Sequence, residues 1–329
     1  MKNKTDTASL KIVEQAVYYY SLGTLIYINE NNLGRDTHYV AETTKGKYFI
    51  KTLDVTNENV RVDDEIKACK LLRARGMTAL PEYVKRKDGG YVTEIDAQTF
   101  FHVQRFIEGD TWRKNQAPDW LLFAGAAFIS EVHTNLAQID LKQRGAIQRI
   151  NDPYASLKEL DDIEKSLVNL RDSEYKILLM QDIALRRDIL QKQEYIEVDK
   201  LTFVNGHSDY TVTQIITSEK NLVGVIDFSE VSNIPAIWEI MRFYLNSAIE
   251  IKKMQFDEKR FIKFLNRYTD KFKLNEYDKN MLIDFNLYYF CQALSVYRKL
   301  LSSGFSTHFI DRIISRNNII QLLKTINWN

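Results

Sequence analysis

The chain has 329 residues, 45% of them apolar and 12% aromatic, enough to bury the core of two domains or of one large two-lobed unit. Its 45 Lys and Arg are offset by 44 Asp and Glu to a formal charge of +1, which excludes a global field that would gather nucleic acid or an anionic membrane. Two distant cysteines, Cys69 and Cys291, with no Cys-x-x-Cys pair and only five histidines, exclude a zinc centre and read as buried free thiols.

In chain order, residues 9–21 predict a short helix. The segments LIYI, HYVAET and KYFIKTL between Leu25 and Leu53 are short and β-rich, and polar turns separate them. Asp63–Arg75 predicts a helix stopped by Gly76. PEYVKRKDGGYVTEI predicts a hairpin around Gly89-Gly90, and FFHVQRFI a buried strand. Residues 118–137 predict an apolar helix, and 153–193 two charged amphipathic helices. Strand signals return in LTFVNG, TQIITS and LVGVIDF. From Pro235 onward the chain reads as helical, in four segments. The most apolar stretch, Trp120–Ile129, is far shorter than the ~20 residues that span a bilayer. No long apolar run follows the charged N-terminal residues, so a cytoplasmic, soluble protein is expected.

Chemistry concentrates in two places. His207-Ser208-Asp209-Tyr210-Thr211-Val212-Thr213-Gln214 follows a strand and places a carboxylate and, five residues on, a side-chain amide in one loop. A hairpin then delivers Asp227 at the end of the apolar strand VGVI. Phosphoryl transfer needs such parts: one carboxylate to orient an attacking hydroxyl, and further oxygen ligands to hold Mg²⁺ on the phosphates. Upstream, Lys51 ends the apolar run YFIK, and Glu65 shares a helical stripe with Val62, Cys69 and Leu72, while Asp63 and Asp64 are rivals for its role.

HSDYTVTQ followed by GVIDFS resembles the catalytic and metal-binding segments of the aminoglycoside phosphotransferase and choline kinase-like family, HGDxxxxN and then IDFD or IDFG. Pro235–Arg242 resembles that family's Pro-x-x-x-Asp/Glu-Leu-x-Arg segment, and the likeness runs from about residue 25 to about 250. The resemblance implies an α+β, bilobal protein-kinase-like fold. A small N-terminal antiparallel sheet lobe with one helix (1–107) would bind nucleotide, and a larger, mostly helical lobe (108–329) would carry catalysis and the acceptor. It implies Asp209 as catalytic base, Asp227 and Gln214 as Mg²⁺ ligands, Lys51 on the phosphates of ATP (or GTP), and Glu65 holding that lysine. Asn32 and Gly34 would lie in the phosphate-covering turn, where a plain hairpin turn explains the sequence equally well. Backbone near Gln104 and Phe106 would meet the base. No activation segment long enough to hold a peptide follows Asp227, which points to a small-molecule hydroxyl acceptor. Acidic residues of the added helices (Asp161, Asp162, Glu164, Glu194, Glu197) could draw a cationic one.

Two departures bear on activity. Gln214 stands where the family has Asn; its extra methylene moves the amide oxygen outward by ~1.5 Å, and Mg²⁺ tolerates poor octahedral geometry badly. Ser208 replaces the glycine between His and Asp. A catalytically degenerate protein that binds nucleotide or a partner without phosphoryl transfer is the alternative reading.

Overall fold

A computed structural model describes residues 7–31, 38–54, 62–168, 174–303 and 305–328. The chain divides into two compact units. The first comprises residues up to Trp112 together with His207–Asp209 and Thr213–Val231; the second holds the rest.

In the first unit, helix α1 (Thr7–Tyr19) precedes three strands, β1 (Leu25–Asn31), β2 (His38–Thr43) and β3 (Gly46–Asp54). Helix α2 (Val62–Ala74) follows, then β4 (Val92–Glu94) and β5 (Thr99–Arg105). These strands form one antiparallel sheet in the order β1-β2-β3-β5-β4. Alternation assigns its two faces. Tyr48, Ile50, Phe101 and Val103 pack with Val13, Ala16 and Tyr20 of α1 in one core, which leaves Lys51, His102 and Gln104 on the opposite face. The turn at Gly89-Gly90 is closed by Arg86 N–H donating to Gly90 O, 2.8 Å. Its two arms both lie along β5, with Tyr83 opposite Gln104 and Val92 opposite His102, so the expected hairpin is instead an extension of the sheet edge. A smaller antiparallel sheet joins β6 (Asp110–Thr111) to the strands designated here β8 (Ile215–Ser218) and β9 (Asn221–Val225), in the order β6-β8-β9; β7 falls in the second unit. Gly109 has φ +150°, and a Cβ there would sit 2.5 Å from Thr217 O, so only glycine lets the chain pass this close to β8.

The second unit is helical around one short antiparallel ribbon, β7 (Phe203–Gly206) with β10 (Ser232–Pro235). Its helices are α3 (Asp119–Asn135), α4 (Gly145–Gln148), α5 (Pro153–Val168), α6 (Glu174–Gln191), α7 (Ala236–Ser247), α8 (Glu258–Thr269), α9 (Glu276–Gln292), α10 (Ser295–Ser302) and α11 (Thr307–Thr325). Helix α3 buries an almost continuous apolar surface. The Tyr210 ring stacks on Phe243 at 4.4 Å and its hydroxyl donates to Gly125 O at 3.1 Å. That anchor fixes the residue next to Asp209 in this core. Two buried polar networks tie the helices together. His133 bonds Glu239 at 2.8 Å and Tyr268 at 2.7 Å; Arg186 bonds Asp182 at 2.7 Å and Phe290 O at 2.6 Å.

The sequence reading places one helix over KNMLIDFNLYYFCQALSVYRKLL; the chain breaks it into α9 and α10 at Ala293, whose backbone leaves the helical region at ψ 74°. Arg316 Nη1 donates to the Ala293 carbonyl exposed by the break, 2.9 Å. The strand β10 and the short α4 carry too little periodic pattern to be read from sequence. No helix among the described residues is long and apolar enough to cross a membrane.

Candidate active site

The first unit brings Lys51, Glu65 and Asp227 into direct contact. Lys51 lies mid-strand in β3, paired with His38 on one side and His102 on the other. Its Nζ lies 3.1 and 3.3 Å from the two Glu65 carboxylate oxygens and 2.7 Å from Asp227 Oδ1. On α2, Glu65, Cys69 and Leu72 form the inward stripe, and Glu65 is the one of the three neighbouring acids that is fully buried; Asp63 is exposed and Asp64 half-buried. Two further groups hold Glu65 and were not read from sequence: Tyr83 Oη donates to it at 3.0 Å, and the buried His102 ring lies 3.6 Å away. Both are remote in sequence: His102 lies on β5 directly opposite Lys51, and Tyr83 lies opposite Gln104 of β5.

Asp227 follows β9 with φ 67°, in the left-handed region, and Ser208 beside Asp209 adopts φ 64°. Neither is glycine, so each stores on the order of 1–2 kcal/mol of backbone strain. Ser208 thus takes up the conformation that glycine adopts freely. Ser229 Oγ donates to Asp227 Oδ1 at 2.7 Å. His207 joins the two loops: Asp209 N–H donates to its Nδ1 at 3.3 Å, and its Nε2 donates to Ile226 O at 2.9 Å, with the ring packed on Phe228 at 4.4 Å. Asp209 and Asp227 are thereby carried on loops locked through one buried imidazole. Gln214 Nε2 reaches Asp209 Oδ2 at 3.4 Å, which turns its amide toward the other carboxylate of the loop.

The electrostatics follow from this packing. Burial works against the Lys51 ammonium, but Asp227 and then Glu65 outweigh it and hold its pKa above the ordinary lysine value. Burial alone would raise Glu65; Lys51 first and His102 second pull it down to about 2. Asp227 is likewise opposed by burial, yet the Lys51 charge and hydrogen bonds from Lys51 and Ser229 hold it well below the usual carboxylate range. The depressed Glu65 pKa adds stability that is present above its unfolded value of 4.5 and is lost as the pH falls toward about 2. That loss amounts to on the order of 3 kcal/mol. Denaturant unfolding across this window should therefore show the wild type losing stability more steeply than Glu65→Gln, by about one proton taken up per molecule. Parallel acid profiles would contradict the pairing.

Gln104, expected near the base, is buried in β5. The amides of Arg105 and Phe106 donate to Glu82 O at 2.8 Å and Lys47 O at 3.0 Å, so these two donors are already used within the first unit. Asn32 and Gly34 lie outside the described residues. Four of the five acids read as drawing a cationic acceptor are in ion pairs. Asp161 and Glu164 share Arg187, Asp162 meets Lys165, and Glu197 meets Lys200.

Among the described residues no group of three His, Cys, Asp or Glu side chains could hold a metal alone. The donors at hand are the Asp227 carboxylate and the amide of Gln214. These are hard oxygen ligands that suit Mg²⁺, an ion held by one or two carboxylates and completed by substrate phosphates and water.

The model of the "Phosphotransferase enzyme family" matches residues 28–277, well over half of the chain. No curated protein matches in a sequence comparison. Among solved structures, a spectinomycin phosphotransferase in complex with ADP and spectinomycin is similar, with TM-score 0.68 and 14% identity over 96% of this chain and 97% of that one. An amicoumacin kinase in complex with AMP-PNP, Ca²⁺ and amicoumacin gives TM-score 0.65 and 14% identity over 98% and 95%. The choline kinase LicA from Streptococcus pneumoniae gives TM-score 0.57 and 15% identity over 94% and 99%. The chain therefore has the α+β, protein-kinase-like fold that the family resemblance implies.

Proposed function

The chain belongs to the phosphotransferase enzyme family, and on that premise we propose that it transfers the γ-phosphate of ATP, with Mg²⁺, to a hydroxyl of a small molecule. The observation that carries this reading is the contact of Lys51 with both Glu65 and Asp227, at 3.1 and 2.7 Å, beside a loop that presents Asp209. The nucleotides held by the two similar antibiotic kinases, ADP and AMP-PNP, favour adenine over guanine.

Bound Mg²⁺·ATP supplies a phosphoryl group whose developing charge the metal neutralises. Asp227 and the Gln214 amide would hold the metal. Lys51, kept charged by its two carboxylates, would hold the phosphates, while Glu65, Tyr83 and His102 keep it from swinging away. Asp209 would accept the hydrogen bond of the acceptor hydroxyl and take its proton. Gln214 lies within reach of Asp209, so one side chain would serve both ends of the reacting centre.

The reading is tested by incubating the protein with γ-labelled ATP, Mg²⁺ and a panel of sugars, amino alcohols, hydroxy acids and antibiotics. A labelled product formed only with Mg²⁺ is expected. Nucleotide binding without product from any acceptor, in both the wild type and Gln214→Asn, would instead identify a protein that binds nucleotide without transferring phosphate.

A further inference from the structure

The main chain before Asp227 is pinned on both sides. Ile226 N–H donates to Gln214 O at 2.9 Å, and Ile226 O accepts from His207 Nε2 at 2.9 Å. Asp227 itself, at φ 67° and ψ 59°, opens a single 3₁₀ turn, Phe228–Glu230. What remains free is the rotation of its carboxylate, a terminal torsion with broad, two-fold wells. Two donors fix that rotation, and both fall on one oxygen: Lys51 Nζ and Ser229 Oγ each lie 2.7 Å from Oδ1. Among the described residues Oδ2 accepts no hydrogen bond. The Asp227 side chain keeps 37% of its surface exposed, so that oxygen can be reached.

The two donors differ in permanence. Lys51 carries its ammonium on a flexible four-carbon stem, and on the kinase reading it turns to the phosphates when nucleotide binds. Ser229 is buried in the turn that Asp227 opens, and its hydroxyl sits on one short side chain. The Asp or Gly of the resembled segment could not make this bond, because an ionised carboxylate only accepts and glycine has no side chain. A carboxylate oxygen offers about two lone-pair sites, and Oδ1 has a donor on each. Mg²⁺ is satisfied by single oxygens at octahedral corners, whereas Ca²⁺ gathers roughly 6–8 oxygens and takes carboxylates through one oxygen or both.

We propose that Ser229 sets the metal preference of this centre: by holding Oδ1 it restricts Asp227 to ligation through Oδ2, and so selects Mg²⁺ over Ca²⁺. This selection rests on the kinase reading, in which Asp227 is the metal ligand. Ser229 touches neither ion nor substrate and is a positioning residue. Capture of Ca²⁺ by both oxygens takes Oδ1 away from the hydroxyl and loses that hydrogen bond. Capture of Mg²⁺ by Oδ2 keeps it.

Competition for bound Mn²⁺ tests the role of Ser229. The full chain is loaded with Mn²⁺ and the non-hydrolysable AMP-PNP, and the ion is displaced with Mg²⁺ or Ca²⁺ while its paramagnetic resonance is followed. Turnover does not enter. The wild type should favour Mg²⁺ over Ca²⁺ more than free AMP-PNP does. Ser229→Ala and Ser229→Gly should each shift the ratio of the two competition constants toward Ca²⁺ by roughly tenfold, the worth of one hydrogen bond to a charged group. A merely structural role would weaken both ions alike and leave the ratio where it was. A wild type without the preference, or a ratio unmoved in either variant, overturns the role of Ser229; if Asp227→Asn still abolishes Mn²⁺ uptake, the kinase reading stands. Nucleotide-dependent Mn²⁺ uptake that survives Asp227→Asn removes the metal role of Asp227 and this selection together. A shifted ratio with no phosphorylated product from any acceptor supports the role of Ser229 in a protein that binds metal and nucleotide without transfer.

Discussion

Asp209→Asn should abolish most phosphoryl transfer, lowering kcat on the order of 10²–10⁴-fold, the usual contribution of a positioned general base. The substitution keeps shape and hydrogen-bonding size, so the backbone tie from Asp209 N–H to His207 at 3.3 Å survives, as does the anchor of Tyr210 on Phe243 at 4.4 Å. What goes is the charge that draws the proton from the acceptor hydroxyl. Nucleotide affinity should remain as in the wild type, because Lys51 and Asp227 are untouched. Steady-state kinetics with equilibrium nucleotide binding separates the two effects. Undiminished turnover would remove Asp209 from the mechanism.

Lys51→Met should cost more stability than any surface change. It removes the shared cation from two carboxylates at once: Glu65, fully buried, and Asp227, 2.7 Å from the ammonium. Breaking one partner out of a buried pair typically destabilises by about 3–5 kcal/mol, because the remaining charge is left uncompensated. Tyr83, donating at 3.0 Å, softens this for Glu65 without replacing the charge. The double variant Lys51→Met/Glu65→Gln should recover much of the loss, since the stranded carboxylate is then gone. Urea unfolding followed by tryptophan fluorescence measures both. A single variant as stable as the wild type would mean that the three side chains do not share a charge network.

Much of this site is legible in the sequence because it rests on local pattern. The alternation of KYFIKTL puts Lys51 on one face of a strand, and the 65-69-72 stripe turns Glu65 inward. The loop HSDYTVTQ and the strand end VGVIDF name Asp209 and Asp227 through resemblance. What sequence does not show is the long-range part. Tyr83, His102 and Ser229 carry no motif, and the first two reach Glu65 only because β5 runs beside β3 and the segment holding Tyr83 runs beside β5. The left-handed conformations of Ser208 and Asp227 are imposed by packing against the residues' own preferences. The acids expected to draw a cation resemble any amphipathic helix surface, and pairing with Arg187, Lys165 and Lys200 shows what their spacing alone could not.

The account depends most on Asp227, Lys51 and Asp209 serving one metal–nucleotide centre. Mn²⁺ binding followed by electron paramagnetic resonance, with and without ATP, probes that directly. Tight Mn²⁺ uptake should require ATP, be lost in Asp227→Asn and persist in Asp209→Asn. Mn²⁺ binding that ignores ATP, or that survives in Asp227→Asn, would contradict it.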